Sequence, residues 1–225
     1  KMIDVTKHNR AILGINKWSG NRGVGTLEYV PGFGKTRCGL MLIHKVITKY
    51  PTIPILILVP NVAVREVWQN ALIAEDPYFT FTEDQLKLIW IETPTSLNTE
   101  HFEVEYKLLV IDEIHKFTSA ERYKLFSKLN YTSILGLTGT FPSGVEGKML
   151  SKYCPVIDKI YEAEALENNW ISNFKEYNIR CELSEEDKIR YERFSVPIHS
   201  TLALFRDTYK KFRKADNTFL FKDVS

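Results

Sequence analysis

The chain has 225 residues, of which 44% are hydrophobic and 12% aromatic, and its 30 basic and 28 acidic residues leave a formal charge of +2. This composition suffices for a packed core and argues against disorder, while the balanced charge permits a local phosphate-binding patch without demanding one. Cys38, Cys154 and Cys181 are far apart and form no CxxC pair, which argues against a zinc site or a disulfide framework and favours a reducing compartment.

Short apolar runs alternate with segments of helical spacing along the first 140 residues. The runs, which predict strands buried on both faces, are Gly25–Val30, Pro54–Pro60, Leu86–Glu92, Lys107–Asp112 and Ser133–Leu137. Apolar residues three and four apart predict helices over Thr36–Tyr50, Val62–Ala74 and Ser119–Leu129. This series predicts a mostly parallel sheet with helices on both faces, and such sheets bind ligands at the carboxyl ends of their strands.

The first predicted strand runs directly into a glycine-containing turn that opens a helix. The turn and the helix start read Pro31, Gly32, Phe33, Gly34, Lys35, Thr36 and Arg37. Glycines let backbone N–H groups turn inward around phosphate oxygens, and the helix start adds a positive dipole end. Lys35 is placed to reach the β- and γ-phosphates, and Thr36 to bind Mg²⁺. Tyr29 departs from the full P-loop pattern, which has glycine there, and an ordinary turn before a helix is the alternative.

The predicted strand Lys107–Asp112 ends in an acidic pair followed by Ile114 and His115. A carboxylate at the tip of a buried strand can hold Mg²⁺, which is the role predicted for Asp112. Glu113 is then placed to orient or deprotonate an attacking water. An acidic pair at a helix start is the alternative, but a P-loop in the same sheet favours the catalytic interpretation.

Gly-Phe-Gly-Lys-Thr followed by Asp-Glu-Ile-His resembles motifs I and II of the DExH branch of superfamily 2 helicases. The likeness covers roughly residues 8–185 and is greatest to DNA-repair translocases, restriction-enzyme motors and phage helicases. It implies a RecA-like first motor domain that uses ATP and Mg²⁺, with Lys35, Asp112, Glu113 and His115 as catalytic residues. His115 links motif II to the partner domain in the family. Thr138 and Thr140 flank Gly139 in a segment that resembles motif III, which couples hydrolysis to movement.

Two further segments resemble motifs Ia and Ib, which line the nucleic-acid backbone path in this family. They supply Pro60, Asn61, Arg65, Thr93, Thr95 and Ser96. Their hydroxyls, amides and one basic side chain suit phosphate contacts, although ordinary polar loops would look the same. Upstream, where the family often has an adenine-reading glutamine, the chain has none, and Asn9 is the candidate substitute.

The pattern changes past residue 140. Ser184 and the acidic residues after it predict a helix start, and the later apolar stripe predicts one amphipathic helix or two that break near Pro197. We therefore divide the chain into a RecA-like domain at 1–182 and a helical extension at 183–225. No QxxGRxxR-like arginine-finger motif is present, so we expect a second motor domain after Ser225 in a longer protein.

These features predict an ATP-dependent helicase or translocase, with DNA favoured over RNA as the nucleic acid. The first alternative is a lone motor domain that binds nucleotide or nucleic acid without hydrolysis. A small-molecule kinase ranks last, because it leaves motif III unexplained. The longest apolar run is too short to span a bilayer and no signal peptide is evident, so we expect a soluble protein of the cytoplasm, or of the host cytoplasm if viral.

Overall fold

The computed structural model describes residues 4–173 and 184–204. The chain divides into two compact units, Lys1–Phe174 and Lys175–Ser225, and the first unit contains the sheet. The strands are β1 (Val24–Tyr29), β2 (Ile55–Leu58), β3 (Ile89–Glu92), β4 (Glu105–Asp112), β5 (Asn130–Thr138) and β6 (Val156–Ile160).

All strand pairings in the sheet are parallel, in the order β3-β2-β4-β5-β1-β6. The predicted parallel sheet is therefore confirmed. The order places β5 between β4 and β1, with Asp112 of β4 opposite Leu137 and Glu28 of β1 opposite Thr138. The three segments that follow these strands thus leave the sheet side by side, and they are the segments that carry the P-loop, the acidic pair and the motif III residues.

Helices cover both faces of the sheet. In the first unit they are α1 (Val5–Gly20), α2 (Lys35–Lys49), α3 (Val62–Ile73), α4 (Glu83–Lys87), α5 (Thr99–Glu103), α6 (Ala120–Tyr123), α7 (Leu125–Lys128), α8 (Gly144–Ser151) and α9 (Glu162–Glu167), with a 3-10 turn at Ile114–Phe117. Within residues 4–173 and 184–204, no helix combines the length and apolarity that a bilayer crossing demands.

Alternate residues of the central strands supply two cores, one on each face. In β2, Ile55 and Ile57 join the core that contains the buried faces of α1, α2 and α3. Leu56 and Leu58 join the opposite core, which contains the 3-10 turn, α7 and α8. A strand buried on both faces needs an unbroken apolar run, which is why the sequence pattern located the central strands well.

Some predicted boundaries are wrong. The strand predicted over Leu86–Glu92 begins at Ile89, because Thr82 starts the short helix α4. The Thr82 hydroxyl accepts the Gln85 N–H at 3.3 Å, and the Gln85 side chain accepts the Thr82 N–H at 3.0 Å. This reciprocal capping box fixes a helical turn where the apolar pattern suggested a strand.

The helix predicted over Ser119–Leu129 is also wrong in detail, since two short helices, α6 and α7, meet at Lys124. In α3, which was predicted from apolar residues three and four apart, Trp68 and Leu72 are buried. Val67 has the same spacing but is exposed. Helix α1 and strand β6 were not predicted as elements, because α1 has mixed polarity and β6 carries charged residues at an edge of the sheet.

In the second unit, α10 spans Glu185–Leu204 and passes through Pro197 without a break, which decides between the two predicted arrangements. Ser184 begins it as predicted, and its Oγ accepts the N–H of Asp187 at 3.1 Å. Cys181, the apolar residues from Phe205 onward and the basic residues Lys210–Lys214 lie outside the described residues.

Candidate active site

The turn between β1 and α2 depends on two glycines in left-handed conformation. Gly32 has φ 84° and Gly34 has φ 97°, a region that favours glycine over any residue with a Cβ. Gly34 also begins α2 without a side-chain cap, so the first N–H groups of that helix are left for an external acceptor. This is the backbone arrangement of an anion cradle.

Tyr29 occupies the place where the full P-loop pattern has its first glycine. Its side chain is fully buried, and its hydroxyl donates to Asp158 Oδ2 at 2.7 Å. Burial raises the pKa of the Tyr29 hydroxyl, so this group stays a neutral donor. The tyrosine that replaces glycine at position 29 therefore packs in the core, and the two glycines that shape the turn are kept.

The side chain of Lys35, in the P-loop, lies beside the motif III segment. Its Nζ donates to the carbonyl of Tyr29 at 3.4 Å. A Cβ built on Gly139 would stand 3.6 Å from this Nζ and 3.5 Å from the ring of Pro31. These are ordinary van der Waals distances, so the motif III turn lies directly beside the lysine.

Asp112 is buried at the end of β4 and is held by two donors. The indole N–H of Trp68 donates to Oδ2 at 2.8 Å, and the Glu113 backbone N–H donates to Oδ1 at 3.0 Å. Burial raises the pKa of the Asp112 carboxyl, while the Trp68 hydrogen bond and the charge of Lys35 act in the opposite direction. The two hydrogen bonds therefore fix the orientation of the carboxylate.

Glu113, His115 and Thr138 form a chain of contacts between motif II and motif III. Glu113 has φ 49°, an uncommon conformation for a residue with a Cβ, and its carboxylate lies 3.2 Å from His115 Nδ1. The same Nδ1 is 2.9 Å from Thr138 Oγ1, and the Thr138 hydroxyl donates to the carbonyl of Thr140 at 2.9 Å. Because this bond uses the single Thr138 proton, we assign the His115 proton to Nδ1, which donates toward Thr138 and Glu113.

Glu28, near the end of β1, supports the segment that follows Thr140 and was missed by the sequence analysis. Its Oε1 accepts the N–H of Phe141 at 3.1 Å, and its Oε2 pairs with Lys159 at 2.7 Å. An acidic residue inside an apolar strand was a visible signal, but its partners are more than a hundred residues away in sequence.

Lys7 joins the P-loop to the end of the first unit, and it too was missed. Its Nζ donates to the carbonyl of Gly32 at 3.1 Å and to that of Trp170 at 2.5 Å. The rings of Phe33 and Trp170 meet edge to face, 5.6 Å apart. No local sequence pattern marks such contacts, because all three segments are distant along the chain.

Arg37 is surrounded by partners that the sequence analysis did not identify. It donates to both carboxylate oxygens of Asp76, at 2.6 and 3.1 Å, and its Nη2 lies 3.2 Å from His8 Nδ1. The His8 and Tyr78 rings stack beside it with centroids 3.7 Å apart. His8, not its exposed neighbour Asn9, therefore faces the helix that follows the P-loop.

The segments that resemble motifs Ia and Ib contact each other. Arg65 Nη2 donates to Ser96 Oγ at 2.8 Å and to Glu92 Oε2 at 2.8 Å. Asn61 Oδ1 accepts the Val64 N–H at 3.0 Å and so caps α3, and the buried Thr93 hydroxyl lies 3.1 Å from that of Thr95. Pro60 ends the apolar run Pro54–Pro60, which contains β2. The structure thus joins the two segments through Arg65 and Ser96, and it engages the side chains of Asn61, Arg65, Thr93 and Ser96 in internal hydrogen bonds.

Two left-handed glycines, a lysine, an acidic pair and a Thr-Gly-Thr turn lie at adjoining ends of an all-parallel sheet, which is the arrangement of a RecA-like P-loop domain. The family and relatives below identify it as a first motor domain of the superfamily 2 helicase type. Residues 7–143 match the model of the res subunit of type III restriction enzymes, and the chain belongs to that family.

Individual relatives are more distant. The African swine fever virus protein named "Putative ATP-dependent RNA helicase QP509L" is 29% identical over 123 residues, which cover 48% of this chain and 23% of the viral protein. The matched segment is thus about a quarter of that relative's length.

Solved structures share the fold. The SWI2/SNF2 ATPase core of Sulfolobus solfataricus in complex with dsDNA has a TM-score of 0.54 at 21% identity, over 68% of this chain and 36% of that one. The UvsW helicase of bacteriophage T4 has a TM-score of 0.53 at 16% identity, over 70% and 61% of the two chains.

Proposed function

We propose that this chain binds ATP with Mg²⁺ and hydrolyses it as one half of a nucleic-acid helicase or translocase. The observation that carries the proposal is the position of Lys35 beside Gly139, together with the parallel register that sets Asp112 opposite Leu137 on the strand leading to that turn. This arrangement supports a site in which Lys35 contacts phosphate, Asp112 holds the metal ion and the Thr-Gly-Thr turn couples hydrolysis to movement.

Thr36 and Asp112 would hold the Mg²⁺ ion. Hydroxyl and carboxylate oxygens are the hard donors that this ion prefers, and it usually takes only one or two protein carboxylates together with phosphate and water oxygens. Each carboxylate oxygen of Asp112 accepts one hydrogen bond from the protein, so each keeps a free lone pair. Among the described residues, no cluster of three or more His, Cys, Asp or Glu side chains forms a separate metal site. The bound ion would supply charge neutralisation for the phosphates.

Glu113 is the proposed base for the attacking water, and His115 sets its position. The Nδ1 proton of His115 faces the Glu113 carboxylate and the Thr138 hydroxyl, which ties the base to the motif III turn. A displacement of Thr138 would therefore shift His115 and, through it, the carboxylate of Glu113. This link is the proposed route by which hydrolysis and the nucleic-acid surface are coupled.

The stacked rings of His8 and Tyr78 beside Arg37 are the proposed base-binding surface. They lie next to the helix that begins at the P-loop, which is where a nucleotide held by Lys35 would present its base. A stacking surface without an amide that reads the base edge would accept adenine and guanine with little discrimination. We accordingly expect weaker selectivity for ATP over GTP than a glutamine would provide.

The nucleic acid is proposed to run along Pro60, Asn61, Arg65, Thr93, Thr95 and Ser96, with DNA favoured over RNA. The support for DNA is family membership together with the dsDNA bound to the SWI2/SNF2 ATPase core, while the viral relative is named as an RNA helicase. A second motor domain, after the domain at 1–182 and the extension at 183–225, would contribute arginine fingers worth roughly 10³ to 10⁵ in rate. We place the protein in a reducing intracellular compartment, where the buried thiols of Cys38 and Cys154 would stay free.

The test is ATP hydrolysis by this chain with and without single- and double-stranded DNA and RNA, beside Glu113→Gln. Turnover that nucleic acid stimulates and that Glu113→Gln abolishes would establish a working motor core. ATP binding without turnover, in the chain and in the full-length gene product alike, would instead establish the non-hydrolysing binding module. Hydrolysis that persists in Glu113→Gln would contradict the assigned base.

A further inference from the structure

A basic pocket lies at the end of the sheet opposite the candidate active site. The pocket has a volume of about 250 Å³. Trp18 and Lys49, near the ends of α1 and α2, line one part of it. Lys107 and Ser133, in the first halves of β4 and β5, line another part. The P-loop and Asp112 follow the other ends of the strands. The pocket is therefore separate from the nucleotide site.

The charges around the pocket have one sign. Four cations line it, Arg22, Lys45, Lys49 and Lys107, and no carboxylate does. Within the part of the chain that the structure describes, none of the four has an acidic partner at ion-pair distance. By contrast, Arg10, Arg37 and Arg65 each pair with a carboxylate. A concave surface lined by a single sign of charge focuses the field and attracts the opposite charge.

Two of these cations converge on one aromatic ring. The Nζ atoms of Lys107 and Lys49 lie 4.1 and 5.3 Å from the centroid of the Tyr50 ring. The ring face attracts each ammonium group, but it does not neutralise the repulsion between them. Lys45, which also lines the pocket, donates to an uncharged group, the Ser19 hydroxyl at 3.4 Å. An anion between these lysines would remove the repulsion.

Helix dipoles do not explain the whole cluster. Lys49 lies in the last turn of α2, where a cation compensates the partial negative charge of the free carbonyls. Lys107 lies on a strand, and Arg22 lies in the connection between α1 and β1 with φ 58°, a conformation uncommon for a residue with a Cβ. Cations from a helix, a loop and a strand converge here, so helix capping accounts for only part of the charge.

We propose that this pocket binds a compact anion with two or more phosphate groups. Several unpaired cations around one cavity suit several linked phosphates better than a single carboxylate, and a recessed site suits a compact molecule better than an extended backbone. The site is independent of the proposed ATP site, so either assignment can fail alone.

The experiment is a calorimetric titration of the protein with inorganic tripolyphosphate in metal-free buffer. It is run in a Lys35→Ala background, which removes the main phosphate contact of the P-loop. The pocket variant is Lys49→Glu with Lys107→Glu, and the matched control is Lys124→Glu with Lys128→Glu, which changes the net charge equally on another surface. Thermal unfolding monitors folding, and Lys49→Gln with Lys107→Gln replaces the pocket variant if charge reversal prevents folding.

The expected result is tripolyphosphate binding in the Lys35→Ala background that weakens at least about tenfold in the pocket variant and stays nearly unchanged in the control. Equal loss in both variants would show a net-charge effect and overturn the proposal. Absence of tripolyphosphate binding in the Lys35→Ala background would also overturn it. A third outcome would overturn the proposal as well: tripolyphosphate does not bind, and the pocket variant loses affinity for oligothymidylate. That outcome assigns the cations to a nucleic-acid strand.

Discussion

The indole N–H of Trp68 donates a 2.8 Å hydrogen bond to the carboxylate of Asp112. Trp68 is fully buried in α3, and Asp112 ends β4, so this bond connects the helix after β2 to the proposed metal ligand. Gly39 of α2 makes room for the ring, because a Cβ at that position would stand 2.6 Å from its outer edge. Helix α2 begins at the P-loop, and its Gly39 packs against Trp68. The position of α2 therefore limits where Trp68, the donor to Asp112, can lie.

Trp68→Phe should weaken Mg²⁺-dependent ATP hydrolysis about 10- to 100-fold, because it removes an outer donor that orients a metal ligand. The measurement is the Mg²⁺ concentration that gives half-maximal hydrolysis, which we expect to rise. Trp18→Phe is the matched control, since its indole N–H donates at 2.8 Å to the Ile134 carbonyl, away from the site. Equal shifts of the Mg²⁺ requirement in both variants would contradict a positioning role for Trp68.

Gly39→Ala should reproduce part of the Trp68 defect without touching Trp68 itself. The new methyl group must displace the indole or shift α2, at a cost of about 1–3 kcal/mol in the free energy of unfolding. Gly20→Ala is the control, because nothing lies within 4 Å of a Cβ there. Chemical denaturation measures the stability of both variants, and a raised Mg²⁺ requirement in Gly39→Ala alone is the expected signature.

Asp158→Asn should destabilise the protein in a pH-dependent way. Burial opposes ionisation of Asp158, but donors from Arg10, Lys17 and Tyr29 outweigh it, and the pKa of this carboxyl is lowered below its usual 3.8. A lowered folded-state pKa gives stability that is present above the unfolded-state pKa and is lost as the pH falls through the folded-state pKa.

We therefore expect a loss of about 3 kcal/mol in the variant at pH 7, which shrinks as the pH falls below about 4. Urea unfolding at pH 7, 5 and 3.5 measures it. A difference between wild type and variant that is as large at pH 3.5 as at pH 7 would argue against the ionised pair as the source of the stability.

Thr138→Val should separate basal hydrolysis from its stimulation by nucleic acid. The variant keeps the shape of the side chain but removes the oxygen that His115 Nδ1 approaches at 2.9 Å. We expect the ratio of stimulated to basal turnover to fall by about tenfold, with ATP binding retained. Thr26→Val is the control, since its buried hydroxyl donates to the Cys154 carbonyl at 2.8 Å. A stimulation ratio unchanged by Thr138→Val would break the proposed coupling route.

Glu92→Gln should strengthen nucleic-acid binding, whereas Arg65→Ala should weaken it. Arg65 is paired with Glu92 at 2.8 Å, so a phosphate must compete with this carboxylate for the guanidinium. Removal of the arginine should lower the slope of log affinity against log salt by about 1, as for one lost phosphate contact. Fluorescence anisotropy at several salt concentrations measures both effects, and a salt slope unchanged by Arg65→Ala would remove Arg65 from the proposed path.

The sequence predicted the features of this site that are local in the chain. Gly34, Lys35 and Thr36 lie consecutively, and the acidic pair directly follows an apolar run, so spacing alone places them at strand ends. Trp68 lies in the helix predicted over Val62–Ala74, but nothing in an apolar helical stripe shows which carboxylate an indole will reach. Lys7 and Glu28 were missed for the same reason, since their partners are distant in sequence. The strand at Val156–Ile160 was missed because an edge strand needs no continuous apolar run.

The tyrosine at the head of the phosphate loop has a practical consequence for the recognition of such chains. A pattern search that demands glycine at position 29 would pass over this chain, although Gly32 and Gly34 keep the left-handed conformations of the turn. What replaces the glycine is a long-range partnership, in which the Tyr29 hydroxyl donates to Asp158 on the adjoining edge strand. Distant homologues are therefore better sought by the glycines at positions 32 and 34, which adopt the left-handed conformations of the turn, than by a glycine at position 29.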